Sequence, residues 1–419
     1  MSTKFGTLRY RVAAAGVGMA ITALRSTHGI SADACSRPGR EALSCSPQWP
    51  AAMYADRPLP PTYLVTTDAY EKCTSQHNAS LVEYSTTKHG GEVHWVQSVS
   101  QLASSVNNET RQPRALYVVG VHPGWTVRSR RCVAELQEVL RVAQAMPEFG
   151  MYRGRRHIVL FTDWVVRMAP AEHARYSSFS IATHDLSWYP DKDNVIAAPI
   201  QSIADPRLSW DETLWLRETR RPRAFLYNFV GQADGRDAYQ TRRVLIPALL
   251  ELAKHFPGRV KAQRTRSGTR FHVQNYSYQL ADTLFGLAPR GDTPTGPKVY
   301  DALSVGCVPV LLSDDFFELT APGLGIPWRT FTFQIKEPTN LSQAAVHHLT
   351  EQLLRLVNDT WAIQKRQQSV LRWADHLLWQ SPNSRVTETM LIDFEALILM
   401  SSKGRRGSSR VMSKCSDTN

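Results

Sequence analysis

Long hydrophobic runs are scarce in this chain of 419 residues. The apolar stretch nearest the N-terminus runs only from Val12 to Leu24 and is closed by Arg25. It is short for a membrane-spanning helix, which needs about 20 residues. No later segment is of spanning length, so the N-terminal segment is the one candidate for contact with a membrane.

Cysteine is also scarce, with six residues: Cys35, Cys45, Cys73, Cys132, Cys307 and Cys415. None of their spacings is that of a zinc site. Cys35 and Cys45 flank a segment rich in Pro, Ser and Arg and could pair in an oxidising compartment. Cys307 is expected to be a buried thiol, since it begins an apolar run.

Acidic residues are outnumbered, with 37 Asp and Glu against 49 Lys and Arg and a net charge of +12. This balance favours anionic partners. The spacing of zinc fingers and the aromatic-basic pattern of RNA-binding modules are both lacking, so no nucleic-acid partner is expected. Internal repeats are lacking too, and 42% apolar residues predict a globular body.

Residues 1–30 are typical of a targeting segment, because Lys4, Arg9 and Arg11 precede the apolar stretch and no acidic residue interrupts it. Three interpretations stay open: a signal anchor, a cleaved secretory signal and an organellar transit peptide. Five N-glycosylation sequons modestly favour a lumenal glycoprotein; they begin at Asn78, Asn108, Asn275, Asn340 and Asn358.

The rest of the chain divides by pattern into a stem (31–60), a first α/β domain (61–215), a second α/β domain (216–400) and a disordered basic tail (401–419). A charged connection is expected at Leu208–Arg223. Candidate strands of the first domain are Thr62–Thr66, Val93–Val96, Ala115–Val121, His157–Thr162, Phe179–Ala182 and Val195–Ala197. Its clearest helix is Arg131–Met146, and this alternation predicts a parallel sheet.

In the second domain the pattern predicts strands at Phe225–Val230 and Val260–Gln263. It predicts helices at Ala238–His255 and, as one long run, at Leu349–Leu378. Between them, residues 278–335 contain an apolar run, a Pro-Arg-Gly-Asp turn, an amphipathic segment and a second apolar run. We interpret this as a βαβ unit whose loop follows the first strand, which is where doubly wound proteins bind ligands.

The loop of this unit has the residues of an anion site. Thr295 is expected to cap the helix, with Pro297 at its first position. Arg290 and Lys298 add charge to the positive helix end. Asp301, one turn into the helix, could accept hydrogen bonds from a ribose. Together they suit a nucleoside diphosphate, although a merely solvated loop fits the pattern as well.

Residues 287–292 (LAPRGD), 298–302 (KVYDA) and 306–310 (GCVPV) resemble, in this order, the signature of the exostosin family, family 47 of the glycosyltransferases. Weaker upstream similarities are residues 157–164 (HIVLFTDW), 193–199 (DNVIAAP) and 223–231 (RAFLYNFVG). The resemblance covers roughly residues 60 to 340. The chain departs from the family's pattern at Lys298, where Arg is usual, and at Thr162, where His is usual.

The resemblance implies a GT-B fold, with two Rossmann-like domains facing a central cleft. It implies transfer of a sugar, with inversion, from a nucleotide sugar (a UDP-sugar) bound by the second domain to a glycan or polysaccharide bound by the first. The implied donor site includes Gly231, Arg242 (or its neighbour Arg243), Arg290, Gly291, Asp292, Thr295, Lys298 and Asp301. Asp292 could equally stabilise its own turn.

No cofactor or obligatory metal is expected, because cations and a helix dipole can replace a metal on the phosphates. Asp191-Lys-Asp193 has the spacing of an Asp-x-Asp motif but precedes a strand. The catalytic base is predicted to be Asp163, with His122 and the pair His184-Asp185 as further candidates. Trp125, Trp164 and Trp188 could stack on sugar rings.

The resemblance also implies a Golgi membrane protein of type II, anchored by its N-terminal segment and able to join a related glycosyltransferase in a hetero-oligomer. Secretion or an organellar location are the alternatives. A different function stays open as well: a catalytically degenerate glycan-binding or partner subunit, which the departures at Thr162 and Lys298 favour.

Overall fold

The computed structural model describes residues 10–13, 54, 58–102, 114–163, 174–189, 194–203, 222–233, 237–265, 273–294, 296–381 and 383–404. Most of the predicted targeting segment and stem, nearly all of the connection, and the tail beyond residue 404 lie outside these ranges. So do Cys35, Cys45, Trp164, Thr295 and the Asp191-Lys-Asp193 motif.

The first sheet has six strands in chain order and is parallel apart from its first strand. Its strands are β1 (Tyr10–Ala13), β2 (Thr62–Val65), β3 (Leu116–Val119), β4 (His157–Phe161), β5 (Ser180–Thr183) and β6 (Val195–Ala197). Five of the six strands predicted for this domain are confirmed. The antiparallel β1, within the predicted targeting segment, was not expected.

The predicted strand at Val93–Val96 is wrong, because these residues belong to a helix that spans Gly91–Leu102. Trp95 and Val99, four residues apart, are both buried in one apolar cluster with the first sheet. A spacing of four is the period of a helix face, and the short apolar run concealed it. The helices of this domain are α1 (Asp68–Gln76), α2 (Asn78–Ser85), α3 (Gly91–Leu102), α4 (Pro123–Ser129), α5 (Val133–Ala145) and α6 (Pro147–Tyr152).

Both faces of the first sheet are covered, which explains its nearly continuous apolar strands. Val159 and Phe161 of β4 enter one core, with residues of α1 and α5. Ile158 and Leu160 enter the other, with residues of α3 and of the C-terminal helix. Cys73 in α1 forms a disulfide with Cys132, just before α5.

The second sheet has five parallel strands in the order β11-β10-β9-β7-β8. They are β7 (Phe225–Gln232), β8 (Val260–Thr265), β9 (Thr283–Pro289), β10 (Val308–Leu312) and β11 (Phe333–Gln334). After β8 the chain returns to the other side of β7, so the strand order reverses between β7 and β9. This reversal is the topological switch point, outside which doubly wound sheets bind ligands.

The helices that follow are α7 (Gln240–His255), α8 (Val273–Ala281), α9 (Pro297–Ser304), α10 (Phe316–Leu319), α11 (Gln343–Asn358), α12 (Thr360–Trp373) and α13 (Val386–Gly404). The predicted run at Leu349–Leu378 is broken at Asp359, whose carboxylate accepts the Ala362 N–H and caps α12. A side-chain cap starts a new helix where the pattern alone predicted continuation.

The C-terminal helix α13, which the pattern places in the second domain, packs on both domains. Ile392 and Ala396 lie in a core with Leu303 and Leu311 of the second domain. Met390, Leu391 and Phe394 of α13 lie in the core with Leu160 and Trp95. None of the helices in the described ranges has both the length and the hydropathy to cross a membrane. The two parallel sheets with flanking helices confirm the predicted α/β class, with the two Rossmann-like domains of the GT-B type.

Candidate functional site

Arg242 occupies the switch point of the second sheet. Its Nε donates to the Arg290 carbonyl at 3.1 Å and its Nη1 to the Gln232 carbonyl at 3.2 Å. These carbonyls follow β9 and end β7, so one guanidinium joins the two strands at which the order reverses. The ring of Tyr239 lies beneath it at 4.3 Å. The predicted residues Gly231, Arg242 and Arg290 are thus brought to one place.

Gly291 allows this close approach. A Cβ atom at this position would lie 2.5 Å from Arg242 Nη2, and the guanidinium is held by two other hydrogen bonds. Asp292 follows with an exposed side chain. We call Gly231, Arg242, Arg290, Gly291 and Asp292 the second edge, since they lie at the carboxyl end of the second sheet.

The Arg290 side chain binds protein carboxylates. Its Nη1 donates to Asp315 Oδ2 at 2.7 Å and to Glu337 Oε1 at 3.2 Å, and 30% of the side chain stays exposed. Glu337 also accepts the Asp314 N–H and the Thr241 hydroxyl. Protein carboxylates therefore balance the charge of Arg290, whereas the sequence predicted that it would face an open phosphate site.

Helix α9 begins at Pro297, as predicted, but its N-cap is Gly296. The predicted capping residue Thr295 is therefore one position too early, and Thr295 itself lies outside the described residues. Glycine supplies no capping side chain.

Lys298, in the first turn of α9, points inward. Its Nζ lies 3.9 Å from the centre of the Tyr276 ring and 4.0 Å from Asp301 Oδ2. Burial lowers the pKa of Lys298 to about 8, against the opposing effect of Asp301. Only 17% of its side chain is exposed, so the ammonium is largely enclosed.

Asp301 is fully buried and its carboxylate is surrounded by donors. Oδ1 accepts the Ser202 hydroxyl at 2.9 Å and the Ile203 N–H at 2.8 Å, and Oδ2 accepts the Tyr276 hydroxyl at 2.9 Å. Burial raises its pKa, although Lys298 and these donors act against the rise. In this arrangement Asp301 ties the segment after β6 to α9 and presents no open surface to a ribose, which differs from the expectation.

At the carboxyl end of the first sheet, Asp163 follows β4 and is fully buried. Arg128 of α4 holds its carboxylate bidentately, through Nε and through Nη2 at 2.8 Å. The Tyr84 hydroxyl lies 3.5 Å from Oδ2. The predicted base thus stands at the expected strand end, but its carboxylate is enclosed by partners. Its role as a base stays a prediction.

Glu92 is a second buried carboxylate beside Asp163. It accepts the Gly124 N–H at 2.9 Å and the Thr162 N–H at 3.1 Å. Burial and, second, the charge of Asp163 raise its pKa well above the usual range. Burial and the neighbouring Asp163 carboxylate thus both favour the neutral form of Glu92, whereas the N–H donors favour its charged form.

His89 and Lys88, in the loop before α3, complete this cluster, and the sequence pattern did not indicate them. His89 Nδ1 lies 2.9 Å from the Thr162 carbonyl and Nε2 lies 3.9 Å from Asp163 Oδ1. Position 162 is where the resemblance led us to expect His, so here a different imidazole stands beside Asp163. We call Lys88, His89, Glu92, Arg128 and Asp163 the first edge.

Lys88 interacts electrostatically with charged residues of both edges. Its side chain is exposed, and its charge interacts with Asp163 and, across the gap between the sheets, with Asp292 and Arg242. Removal of the ammonium from bulk water lowers its pKa, while the two aspartates favour the charged form. Charges at one edge therefore act on the other, as expected if both edges face the predicted central cleft.

The other candidates of the first domain are enclosed. His122 and His184 are 6% and 4% exposed, and Trp125 and Trp188 are buried in the core of the domain. Asp185 caps a short turn by accepting the Ser187 N–H. The geometry therefore supports structural roles for these residues, as buried rings of the first domain and as the cap of a turn.

The family model of the exostosin GT47 domain matches residues 90–353, more than half of the chain. This range includes both edges except Lys88 and His89, which lie immediately before it. Both sheets contribute strands to it.

Two curated plant proteins are similar over shorter ranges. A xyloglucan-specific galacturonosyltransferase of Arabidopsis thaliana is 27% identical over 123 residues, 29% of this chain and 18% of the relative. A probable glucuronosyltransferase of Oryza sativa subsp. japonica is 29% identical over 94 residues, 22% of each chain. The matched region thus spans about a fifth of either relative.

Among solved structures, an α,α-trehalose 6-phosphate synthase of Burkholderia multivorans is similar with a TM-score of 0.36 at 12% identity, over 82% of this chain and 84% of that one. A GtfA/B complex is similar with a TM-score of 0.37 at 10% identity, over 73% and 60%. These scores are low, so the fold rests on the two sheets themselves. The family rests on the match over residues 90–353: the chain belongs to the exostosin GT47 family.

Proposed function

We propose that this protein is a glycosyltransferase that moves a sugar from a UDP-sugar to a hydroxyl of a glycan or polysaccharide, with inversion at the anomeric carbon. The observation that carries the proposal is Arg242, fixed to both strand ends at the switch point beneath the Arg290-Gly291-Asp292 turn. A cation held in advance at this point costs no reorganisation when a diphosphate leaves.

The two edges divide the chemistry. The second edge, with the N-terminus of α9 behind it, binds the nucleoside diphosphate through Arg242 and the backbone. Arg290 joins them when a phosphate displaces Asp315 or Glu337 from its guanidinium. The first edge binds the acceptor and takes its proton. Metal independence is part of the proposal, because a guanidinium and a helix N-terminus can balance the leaving charge.

The names of the two relatives guide the choice of donor. One is called a galacturonosyltransferase and the other a glucuronosyltransferase. We therefore place UDP-galacturonic and UDP-glucuronic acid first among the donors, with neutral UDP-sugars as comparators.

The disulfide between Cys73 and Cys132 supports a lumenal location, since such bonds persist in oxidising compartments. We propose a type II Golgi membrane protein whose N-terminal segment is the anchor, with a related glycosyltransferase as its partner in a hetero-oligomer. Because Tyr10–Ala13 pair with Thr62–Val65 in the first sheet, this anchor requires β1 to leave that sheet when the segment enters the membrane. Sensitivity of the cellular protein to glycosidases, with protection from external protease in intact vesicles, tests this placement. A protein without glycans that external protease degrades in intact vesicles contradicts it.

Calorimetry of the full chain with UDP and the two UDP-uronic acids, with EDTA present, tests the donor site. We expect micromolar binding of UDP that EDTA does not change. Proton NMR of the first-formed product then reports whether the anomeric configuration is inverted. Binding that appears only when a divalent cation is restored contradicts metal independence, and a retained configuration contradicts inversion.

A second function is favoured by one observation: Arg290, Lys298 and Asp301 of the signature are all engaged by protein groups. A glycan-binding or partner subunit would have no need to release them. Folded protein that binds none of the nucleotides, yet binds an acidic glycan array, supports this alternative and contradicts the enzyme.

A further inference from the structure

We propose that His89 accepts the proton of the attacking hydroxyl, with Asp163 stabilising the charge that then forms on the imidazole. The proposal rests on the transfer function above and names the group that performs its proton step.

The hydrogen bonds of His89 determine which ring nitrogen can act. The Thr162 carbonyl, 2.9 Å from Nδ1, can only accept, so Nδ1 carries the hydrogen. The neutral ring then has its lone pair on Nε2, the nitrogen nearer to Asp163. Burial lowers the pKa of His89 to about 4, the carboxylate of Asp163 opposing this, so the ring is neutral at pH 7 and able to take a proton.

The loop that carries His89 is fixed before any substrate binds. The Thr162 hydroxyl donates to the His89 carbonyl at 2.8 Å, and Gln201 binds the carbonyls of Lys88 and Ser85. A Cβ atom on Gly90 would lie 2.3 Å from the Ser85 carbonyl oxygen, so the loop packs closely against itself. Such fixation is what positions a general base.

The rival bases predicted for the first domain are engaged by protein groups or buried. Asp163 is held bidentately by Arg128. The Tyr70 hydroxyl accepts the His122 backbone N–H at 2.9 Å and lies 3.1 Å from His122 Nδ1, so Tyr70 engages that ring nitrogen. The Nδ1 atom of His184 is fully buried.

His89 is nearly buried, with 8% of the residue exposed against 6% for His122 and 4% for His184. Its distinction is its neighbour Lys88, whose charge interacts with Asp292 of the second edge, so the loop that carries the ring lies on the side of the first domain that faces the second. The groups that face the ring are Asp163, which favours the protonated ring, and Lys88, Arg128 and His184.

In the step itself, the proton of the attacking hydroxyl moves to Nε2 as its oxygen bonds to the anomeric carbon. The bond from that carbon to the diphosphate oxygen breaks, and its electron pair leaves with the diphosphate. The imidazolium, 3.9 Å from Asp163, then releases its proton to solvent. Water can replace the glycan hydroxyl, so hydrolysis of the donor reports the same step.

The test measures UDP release from UDP-glucuronic and UDP-galacturonic acid by the full chain, with water as acceptor, between pH 3 and 9. Removal of a general base costs about 100-fold or more in rate, so we expect His89→Gln to lose that factor. UDP affinity should stay unchanged, and the acidic limb of the pH profile should disappear. Imidazole in the buffer should partly restore His89→Gly. His347→Gln, on an exposed histidine of α11, is the matched control.

Retention of the rate and of the acidic limb in His89→Gln overturns the proposal, and so does equal loss of UDP binding and turnover, which indicates a structural role. The proposal is overturned as well if the acidic limb of the pH profile disappears in His122→Gln or His184→Gln but remains in His89→Gln. If the wild-type chain binds UDP but turns over neither donor, the transfer function with these donors is contradicted. The role of His89 as the base of that reaction is then contradicted too.

Discussion

The two edges of the cleft use charge in opposite ways. At the first edge, two buried carboxylates are held by N–H and O–H donors, with Arg128 as their cation. Beside them lies a nearly buried imidazole whose Nδ1–H donates to the Thr162 carbonyl. At the second edge, the Arg242 guanidinium donates to the backbone carbonyls of Arg290 and Gln232, which are themselves uncharged. The first arrangement suits a proton and the second an anion. Substitutions made at one edge at a time can test this difference.

The largest effect is expected from Asp163→Asn. Removal of one partner of a buried ion pair costs about 3 to 5 kcal/mol, and the partial exposure of Arg128 places this variant at the lower end. Thermal unfolding of the purified chain measures the loss. Glu92→Gln is the matched variant: because burial already favours the neutral form of Glu92, it should cost clearly less. Equal losses would contradict the unequal sharing of charge at the first edge.

Arg242→Ala should come next and should affect the ligand rather than the fold. A charge-assisted hydrogen bond contributes about 1.5 to 3 kcal/mol, which corresponds to about a 10- to 100-fold weaker affinity for UDP. Calorimetry measures it, with Arg329→Ala, an exposed cation stacked on Phe317, as control. An affinity equal to that of the control would remove Arg242 from the donor site.

The opposite end of β4 sharpens the comparison, since His157 is buried there without a charged neighbour. No partner of its ring nitrogens is found among the described residues, and Tyr117 and Phe149 pack around it. Burial lowers its pKa to about 3, below the usual 6.5. The unfolded chain therefore takes up the proton first, and stability is lost as pH falls from 6.5 towards 3.

His157→Phe should remove that loss. A buried group without a partner costs about 1 to 3 kcal/mol, so the variant should equal or exceed the wild type in unfolding free energy at pH 7. Its advantage should widen towards pH 4. Chemical denaturation at both pH values measures this; a constant difference would show that His157 does not titrate in this window.

Gly291→Ala tests the close packing of the second edge. Its Cβ would displace the guanidinium of Arg242, which two carbonyls hold. We expect about a tenfold weaker affinity for UDP, or about 1.4 kcal/mol, with little change in melting temperature. Gly258→Ala is less suitable as a control because its φ is +74°. Gly150→Ala, in α6 of the first domain with nothing within 4 Å of the added atom, should leave the affinity unchanged.

The smallest effect is expected from Lys88→Ala. Lys88 is an exposed residue whose ammonium is only partly withdrawn from water, and charges near the surface interact weakly and are screened by salt. UDP should bind slightly more weakly at low ionic strength, and the difference should vanish near 1 M salt. A difference that persists at high salt would mean that Lys88 contacts the nucleotide directly.

The sequence predicted the strands well where they are buried on both faces, because a continuous apolar run between turn residues is typical of a buried strand. It failed at Val93–Val96, a short apolar run that was predicted as a strand and belongs to the helix Gly91–Leu102. It also could not predict the surroundings of Asp301, whose partners Ser202, Ile203 and Tyr276 are 99, 98 and 25 residues away. Local pattern contains no information about donors that are distant in the chain, two of which here come from the first domain.

The sequence by itself determined the two parallel sheets, the βαβ unit at residues 278–335 and the family, because periodicity and ordered motifs are local properties. Only the tertiary structure decided which charges are enclosed and which face the cleft. Arg290, Lys298 and Asp301 carry the signature but are bound by protein groups, whereas Lys88 and His89 carry no signature and stand at the cleft. The reason is physical: burial and hydrogen-bond partners set the state of a charge, and both depend on contacts between distant parts of the chain.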